Sequence, residues 1–265
     1  MAKYDVVNGV YRKVAKKYDP VDGVHRNVTK AFEPVDGVYR QYFSSGVPAE
    51  TLAVGDSVWL NVNGVQKEFL VVHQGNPDPS LYDASCDGTW LLLNGLSVQC
   101  VWDSTDNDFA NASILSTMNN IIYGYLDANV QSAIKQVKIP YVNGKGNSGA
   151  VASGSNGLST KIFPLSAYEV GYTKANYSYI PADGVCLDYF VGATDADRIF
   201  YNEYGNAQLR WLRSPKISSS NSACIISKSG TCSTYTVTSY SNTQPAFILD
   251  SSTLVDQSTG INIIV

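Results

Sequence analysis

The sequence predicts an α+β fold, because strand patterns and helical patterns occupy separate parts of the chain. Residues 57–74 are predicted to form a hairpin, since two strand-like runs flank the turn pair Asn63-Gly64. The run 89–93 is short and continuously apolar, as in a buried strand. Residues 108–125 carry apolar side chains at helical spacing, and 127–135 is predicted as a second helix. Strands, then helices, then further strands are typical of an α+β domain.

A repeat of 14 residues occupies residues 1–45, which we call the arm. Tyr4, Tyr18 and Phe32 begin its three units, and each unit contains an Asn-Gly or Asp-Gly pair. Such a pair beside β-branched residues is a strong hairpin signal, because both central turn positions need a positive φ. The arm is therefore predicted to be three β-hairpins in a small meander. A unit this short cannot bury an apolar face alone, so we expect it to stack on its neighbours, the body or other subunits.

Charge and apolar content exclude two classes of partner. The arm has eight Lys or Arg against five Asp or Glu, a net +3, and the body, residues 46–265, has eleven against eighteen, a net −7. Each repeat mixes both signs, which favours a solvated strand face over nucleic-acid binding. No apolar run reaches the ~18 residues of a membrane span, and no secretory signal is recognised. We therefore expect no membrane insertion and synthesis in the cytoplasm.

The segment 214–243 is built from a narrow set of residue types. Of its thirty residues, nineteen are Ser, Thr, Asn or Tyr, and only Lys216 and Lys228 are charged. Tyr gives contact area at low entropic cost, while Ser, Thr and Asn give adaptable hydrogen bonds, so this composition is typical of a recognition surface. An exposed antiparallel sheet has the same composition. Both interpretations remain open on composition alone.

Three motifs carry a resemblance to a known family. They are Trp-Leu-Arg-Ser-Pro at 211–215, Pro-Ala-Phe-Ile-Leu-Asp at 245–250, and the segment 161–171, in which Pro164 replaces a more usual leucine. Together they resemble a bacterial and prophage domain family with the C-type lectin fold, which includes the variable proteins of diversity-generating retroelements. The resemblance covers roughly residues 47–255 and implies a C-type lectin-like body of the formylglycine-generating-enzyme-like subtype. The arm repeats resemble those of phage tail-associated proteins.

The resemblance implies a ligand-binding protein of a phage or prophage, with 214–243 as its variable face. Its expected partners are a protein or carbohydrate on a bacterial cell surface and virion proteins held through the arm, and its expected location is the virion or the cell surface. Assembly into a homo-oligomer is a further expectation. The residues expected to contact ligand are Ser218, Ser219, Ser220, Asn221, Tyr235, Tyr240, Ser241 and Asn242. The residues expected to hold the scaffold are Trp211, Arg213, Pro245 and Phe247.

An invariant structural module of the virion or baseplate is the alternative function. A formylglycine-generating type of enzyme is a minor one, because that enzyme shares the implied fold and uses a cysteine pair near its C-terminus. Cys224 and Cys232 do not reproduce its motif, so no enzyme activity is expected. The sequence has only two histidines, His25 and His73, so we expect neither a histidine-based zinc site nor a Ser-His-Asp triad. The five cysteines are odd in number and are expected as free thiols, although a disulfide between Cys224 and Cys232 stays open.

No cofactor or metal is expected either. Asp195 and Asp197 could begin an EF-hand loop, but Phe200 stands where the turn glycine belongs. Trp102-Asp103 with residues 106–108 is similar to the calcium motif of sugar-binding lectins. Asp and Asn before a helical pattern also serve to cap a helix and complement its dipole, and we expect that role here.

Overall fold

The fold is predominantly β, so the prediction of an α+β, C-type lectin-like body is wrong. In the computed structural model, strands hold 35% of the residues and helices 18%, and the strands form several antiparallel sheets. The structure describes residues 4–7, 10–13, 17–21, 24–28, 30–35, 38–44, 46–95, 98–146, 149–202, 204–257 and 263–264, with side chains from residue 46 onward. No helix in this described part is long and apolar enough to cross a membrane.

The segment 108–125, which is predicted as one long helix, is not a regular α-helix in the structure. It divides into a 3₁₀ turn at Phe109–Asn111, α1 at Ser113–Ser116, a π-helical segment at Thr117–Ile122 and a 3₁₀ turn at Tyr123–Tyr125. Asn119 supplies a physical reason, because its side-chain amide donates to the Leu115 carbonyl at 3.0 Å, the acceptor that a regular α-helix gives to a backbone amide. The second predicted helix is α2, Ala128–Ala133.

Six strands form the arm. They are β1 Tyr4–Val7, β2 Val10–Lys13, β3 Lys17–Val21, β4 Val24–Val28, β5 Lys30–Val35 and β6 Val38–Ser44. Among the described residues they pair within each repeat as three two-stranded antiparallel sheets. The predicted turn pairs at 8–9, 22–23 and 36–37 lie outside the described residues.

The body contains the remaining strands. They are β7 Val47–Pro48, β8 Ser57–Val62, β9 Val65–Gln74, β10 Thr89–Leu93, β11 Gln99–Val101, β12 Val137–Ile139, β13 Tyr141–Val142, β14 Val151–Ala152, β15 Leu158–Thr160, β16 Ile162–Pro164, β17 Phe200–Tyr201, β18 Ala207–Gln208, β19 Arg210–Pro215, β20 Ser222–Ile226, β21 Cys232–Thr236, β22 Tyr240–Asn242, β23 Pro245–Leu249, β24 Leu254–Asp256 and β25 Ile263–Ile264. Short 3₁₀ turns occur at Ala49–Thr51, Ala84–Cys86, Gly154–Asn156, Asp188–Phe190 and Ala196–Arg198.

Two five-stranded sheets organise the body. The first has the order β16-β23-β10-β9-β8 and is antiparallel throughout. The predicted hairpin and the predicted buried strand are confirmed as β8, β9 and β10. The second sheet has the order β11-β22-β19-β20-β21, in which only the contact between β19 and β22 is parallel. The strands of the tyrosine- and serine-rich segment therefore belong to the second sheet, and β23, which follows that segment, belongs to the first.

Three fully buried tryptophans tie the segments of the core together through their indole N–H groups. Trp102 donates to the Leu212 carbonyl at 2.9 Å, and Trp211 donates to the Cys100 carbonyl at 3.1 Å. These reciprocal bonds fasten β19 to the chain around β11. Trp90, in the first sheet, donates to the Cys86 carbonyl at 3.0 Å. Because a buried indole N–H needs an acceptor, each tryptophan fixes a backbone position as well as filling volume.

Candidate functional site

A buried ion pair includes an arginine of β19, the central strand of the second sheet. The guanidinium of Arg213, on β19, binds both carboxylate oxygens of Glu169, and both side chains are fully buried. It also donates to the backbone carbonyls of Pro140, Pro164 and Asp183 at 3.1–3.3 Å. All of its donor nitrogens are therefore engaged, and the arginine joins three separate segments of the chain. Burial disfavours the charged guanidinium, but Glu169 raises the pKa of Arg213 above its usual value.

The next residue of the motif, Ser214, holds a buried carboxyl group. Its hydroxyl lies 2.8 and 2.9 Å from the two oxygens of Asp183 and accepts the Ala167 amide at 2.8 Å. Asp183 is fully buried, and burial raises the pKa of its carboxyl from 3.8 to about 7, against the opposing effect of Arg213. The Trp-Leu-Arg-Ser-Pro motif thus supplies the buried polar contacts that join the central strand of the second sheet to Glu169 and Asp183.

The raised pKa of Asp183 predicts a pH-dependent stability. The folded protein binds this proton more tightly than the unfolded chain, whose aspartate titrates near 3.8, so the stabilisation is complete below 3.8 and is lost as the pH rises to about 7. We expect the free energy of unfolding of the parent to fall over this interval relative to that of Asp183→Asn. Urea unfolding of both proteins from about pH 4 to about pH 8 measures the difference. A difference that is constant across the interval would contradict the assignment.

The loop that joins β19 to β20, residues 216–221, is held from inside by Asn107. We call it the display loop. The fully buried Asn107 carboxamide donates to the carbonyls of Ser219 and Ser222, each at 2.8 Å, and the Asn107 backbone amide donates to the Ser220 carbonyl at 2.9 Å. The contacts go to the backbone of the loop, so they fix its path without using its side chains.

We call these hydrogen bonds from Asn107 the clamp, and a second loop also bonds to Asn107 and to the display loop. The Lys145 amide donates to Oδ1 of Asn107 at 2.7 Å, and the Gly146 amide donates to the Ser219 carbonyl at 3.0 Å. Gly144 has a φ of +70°, and a Cβ there would lie 2.0 Å from the Asn107 carbonyl oxygen. Only glycine allows so close an approach.

The serine and asparagine side chains of the display loop face outward, whereas Lys216 and Ile217 are half-buried. Ser218, Ser220 and Asn221 are exposed and Ser219 is half-buried. Ser218 has a φ of +60°, a left-handed conformation that is uncommon for a residue with a side chain. The Ile217 amide donates to the Tyr179 carbonyl at 2.8 Å, which gives the start of the loop a further anchor. The Ser219 hydroxyl donates to the side-chain oxygen of Asn221 at 3.1 Å. The loop therefore combines a restrained backbone with exposed hydroxyl and amide groups, of which Ser218 and Ser220 are the most accessible serines.

The two predicted hot-spot tyrosines differ in their surroundings. Tyr235, on β21, is 39% exposed, and its ring centroid lies 5.9 Å from that of the buried Trp211. Tyr240, on β22, is 73% exposed. Val237 lies between the two tyrosines in the chain. Its backbone amide donates to the Asn221 carbonyl at 3.0 Å, which ties this part of the chain to the end of the display loop. Tyr235 thus has a packing role beside any binding role, whereas Tyr240 presents most of its ring to solvent.

The structure removes two predicted contact residues from the surface. Ser241 and Asn242 are each 4% exposed, and the Asn242 carboxamide donates to the Leu209 carbonyl at 3.0 Å. They cannot touch a ligand at the outer face without a rearrangement of β22. The segment 214–243 is likewise not one continuous face, since it also contains buried residues; these include Cys224, Ile225, Ile226, Val237 and Thr243. We define the display face as Ser218, Ser219, Ser220, Asn221, Tyr235 and Tyr240.

The residues predicted as scaffold are all interior. Trp211 and Arg213 belong to β19 of the second sheet, and Pro245 and Phe247 belong to β23 of the first. The Phe247 ring centroid lies 5.3 Å from that of Phe69. The motifs at 211–215 and 245–250, which we call the bracketing motifs, therefore anchor the two ends of the segment 214–243 in different sheets.

The cysteine pair of the enzyme alternative is buried on neighbouring strands. Cys224 pairs with Thr234 in the register of β20 and β21, so Cys232 is its diagonal neighbour, and both thiols are free. A hydrogen bond with Cys232, followed by burial, raises the pKa of Cys224 well above its usual value. A thiol with a raised pKa stays protonated and is a poor nucleophile. His73, one of the two histidines of the sequence, is buried beside Trp90.

The acidic residues that resembled a calcium motif are bonded to the protein itself. Asp103 accepts the Ser113 amide at 2.9 Å, at the start of α1, and Asp108 accepts the Ala110 amide at 3.2 Å, as the cap of a 3₁₀ turn. Although burial opposes it, hydrogen bonds from Thr105 and Ser113 lower the pKa of Asp103 to about 2. Asp197 accepts the Thr194 amide at 2.7 Å. Over the described residues, no group of three or more His, Cys, Asp or Glu side chains is placed to hold a metal ion.

Comparison with known proteins identifies one family. Its model, described as a domain of unknown function (DUF6273), matches residues 87–251, which include both bracketing motifs, Asn107 and the whole display face. Searches of curated proteins and of solved structures found no match.

Proposed function

The chain belongs to the DUF6273 family of domains of unknown function, and we propose that its body is a ligand-binding module whose display face contacts a partner on a bacterial cell surface. The observation that carries the proposal is the clamp on the display loop. A fully buried asparagine, Asn107, holds the backbone of a loop whose own side chains point to solvent. The buried hydrogen bonds go to the backbone, so they leave the exposed Ser218 and Ser220 hydroxyls and the Asn221 side-chain N–H groups available to a ligand.

The clamp matters for binding because it reduces the entropy lost when a ligand arrives. A loop that is already ordered does not have to be ordered by its ligand, so more of the contact energy appears as affinity. The hydroxyl and amide groups of residues 218–221 provide adaptable hydrogen bonds, and Tyr240 provides a rigid contact surface with only two rotatable bonds. These are properties of a binding face that does not depend on a metal or on catalysis.

The bacterial cell surface is proposed because of the resemblance in the sequence. The bracketing motifs are similar to those of bacterial and prophage proteins, and the arm repeats are similar to those of phage tail-associated proteins. In this proposal the arm attaches the body to a larger assembly, and the body carries the recognition. The display face has no acidic or basic side chain, which favours a ligand recognised by hydrogen bonds and stacking, such as a protein loop or a glycan.

Replacement of Tyr240 by alanine is expected to weaken binding without loss of stability. An aromatic hot spot is worth about 2 kcal/mol or more, which corresponds to about thirtyfold in affinity. Tyr204→Ala is the matched control, because that tyrosine is 79% exposed but lies on the loop between β17 and β18. Fluorescently labelled full-length chain is titrated onto Gram-positive and Gram-negative cells, and bound fluorescence is measured by flow cytometry.

The Tyr204→Ala control shows whether weaker binding comes from the loss of Tyr240 in particular or from the loss of any exposed tyrosine. The proposal requires weaker binding by Tyr240→Ala and unchanged binding by Tyr204→Ala. Equal effects of the two substitutions, or no saturable binding of the parent to any of the cells, would contradict it. Tyr235→Ala is less informative, because it also uncovers Trp211 and should lower the melting temperature.

A further inference from the structure

A cavity of about 360 Å³ opens on the body between the irregular helical segment and the strand pair β12-β15. One wall carries Ser116 and Asn120, and the other carries Gln136 and Ser159. All four side chains are exposed, and no residue that lines the cavity is charged. The cavity shares no residue with the display face.

Asn119 braces the two walls. Its side-chain amide donates to the Leu115 carbonyl in its own wall at 3.0 Å and to the Ile162 carbonyl at 2.8 Å, just beyond the opposite wall. Its side-chain oxygen accepts the Lys161 and Ile162 amides, both at 3.1 Å. The same residue that interrupts the helix therefore fixes the width of the cavity. A rigid floor of this kind is what a pre-formed small-molecule site requires.

The two walls present the same pair of groups. The Asn120 amide donates to the Ser116 hydroxyl at 3.0 Å, and the Gln136 amide donates to the Ser159 hydroxyl at 3.0 Å. In each pair the carboxamide oxygen is left as an acceptor and the hydroxyl hydrogen as a donor, as judged over the described residues. If either amide is turned over, the serine donates and the amide N–H groups become free, so each pair still offers one donor and one acceptor.

We infer that this cavity binds a neutral sugar. A sugar hydroxyl both donates and accepts a hydrogen bond, so it matches a carboxamide and hydroxyl pair, and adjacent hydroxyls of one ring can engage the two facing walls. An anion or a cation finds no counter-charge in the lining, and a purely apolar ligand would leave both pairs without the hydrogen bonds they make to water. The ligand class is therefore a polyhydroxylated, uncharged molecule of roughly the size of one or two sugar rings.

Saturation-transfer NMR on the full-length chain tests this site. The probes are the methyl glycosides of glucose, galactose, mannose and N-acetylglucosamine, with glucuronic acid as the charged comparison. Transfer is expected to at least one neutral glycoside and not to glucuronic acid. Gln136→Leu and Asn120→Leu should each weaken that binding about tenfold, the loss that goes with one or two hydrogen bonds.

Gln66→Leu is the matched control, because Gln66 is an exposed glutamine on β9, away from the cavity. It should leave the transfer unchanged, and melting temperatures establish that all three variants are folded. Absence of transfer to every neutral glycoside overturns the inference. So does transfer that survives both cavity substitutions, or that falls equally with Gln66→Leu.

Discussion

Replacement of Arg213 by methionine is expected to destabilise the body by about 3–5 kcal/mol, which is a large part of the stability of a typical domain. The substitution leaves the Glu169 carboxylate fully buried without its counter-charge. It also removes the donors of three backbone carbonyls from separate segments. Urea unfolding of parent and variant measures the loss, and a large fraction of the variant should be unfolded at 37 °C.

Two further variants separate charge from geometry. Arg213→Lys keeps the charge but lacks the planar fork that binds both oxygens of Glu169, so it should recover only a small part of the stability. The double variant Arg213→Met with Glu169→Gln removes both charges and should be more stable than Arg213→Met alone, because no unpaired charge remains. An Arg213→Met protein as stable as the parent would show that the pair does not hold the motif.

Replacement of Asn107 by alanine is expected to release the display loop. It removes one of the two donors to each of the Ser219 and Ser222 carbonyls, which keep the Gly146 and Lys216 amides, and it removes the acceptor of the Lys145 amide. Each lost hydrogen bond costs about 0.5–1.5 kcal/mol. The free energy of unfolding should fall by about 2–4 kcal/mol, and the amides of Lys216 and Ile217 should exchange hydrogen much faster than in the parent. Hydrogen exchange read by NMR or mass spectrometry reports both effects.

The control for Asn107 is Asn61→Ala, which removes one exposed hydrogen bond to Asp127. That substitution should change stability by less than about 0.5 kcal/mol and leave exchange in the loop unaltered. A second comparison is Asn107→Asp, which is nearly the same size but cannot donate to the carbonyls and should behave as badly as alanine. Fast exchange of the loop in the parent itself would mean that the clamp does not order it.

The strands could be predicted from the sequence where a local rule decides. The Asn63-Gly64 pair specified the hairpin of β8 and β9, and both residues have the positive φ that such a turn needs. The run Thr89–Leu93 is completely buried between β9 and β23, as its apolar composition predicted. In both cases the information lies within a few residues of the element.

The prediction of one long helix at 108–125 was wrong because a long-range contact overrides the local pattern. Apolar residues at 108–125 do have helical spacing, and Ile114, Met118 and Ile122 are buried as that spacing requires. Asn119, however, bonds both to Leu115 and to the distant Ile162, which favours a wider turn at that point. Nothing in the sequence around Asn119 indicates the partner forty-three residues away.

The display face was predictable in part. The bracketing motifs marked the interior anchors Trp211 and Arg213, and the composition marked the exposed loop. Composition does not report depth, so Ser241 and Asn242 were assigned to the face although β22 turns them inward. The role of Asn107 in holding the display loop was not predicted from the sequence, because the acidic stretch around it was assigned to helix capping. Only the fold brings Asn107 into contact with the loop.

The most direct test of the account is a substitution scan of the display face in the full-length chain. Positions 218, 219, 220, 221, 235 and 240 are each varied, and every variant is scored for folding and for capture of bacterial cells. The account predicts that most substitutions at 218, 220, 221 and 240 leave folding intact and change binding, because these side chains are exposed. Asn107 holds the backbone of the loop that carries 218–221, and the pairing of β22 with β11 holds that of Tyr240. Variants that fold normally and all bind as the parent does would contradict the assignment of this face.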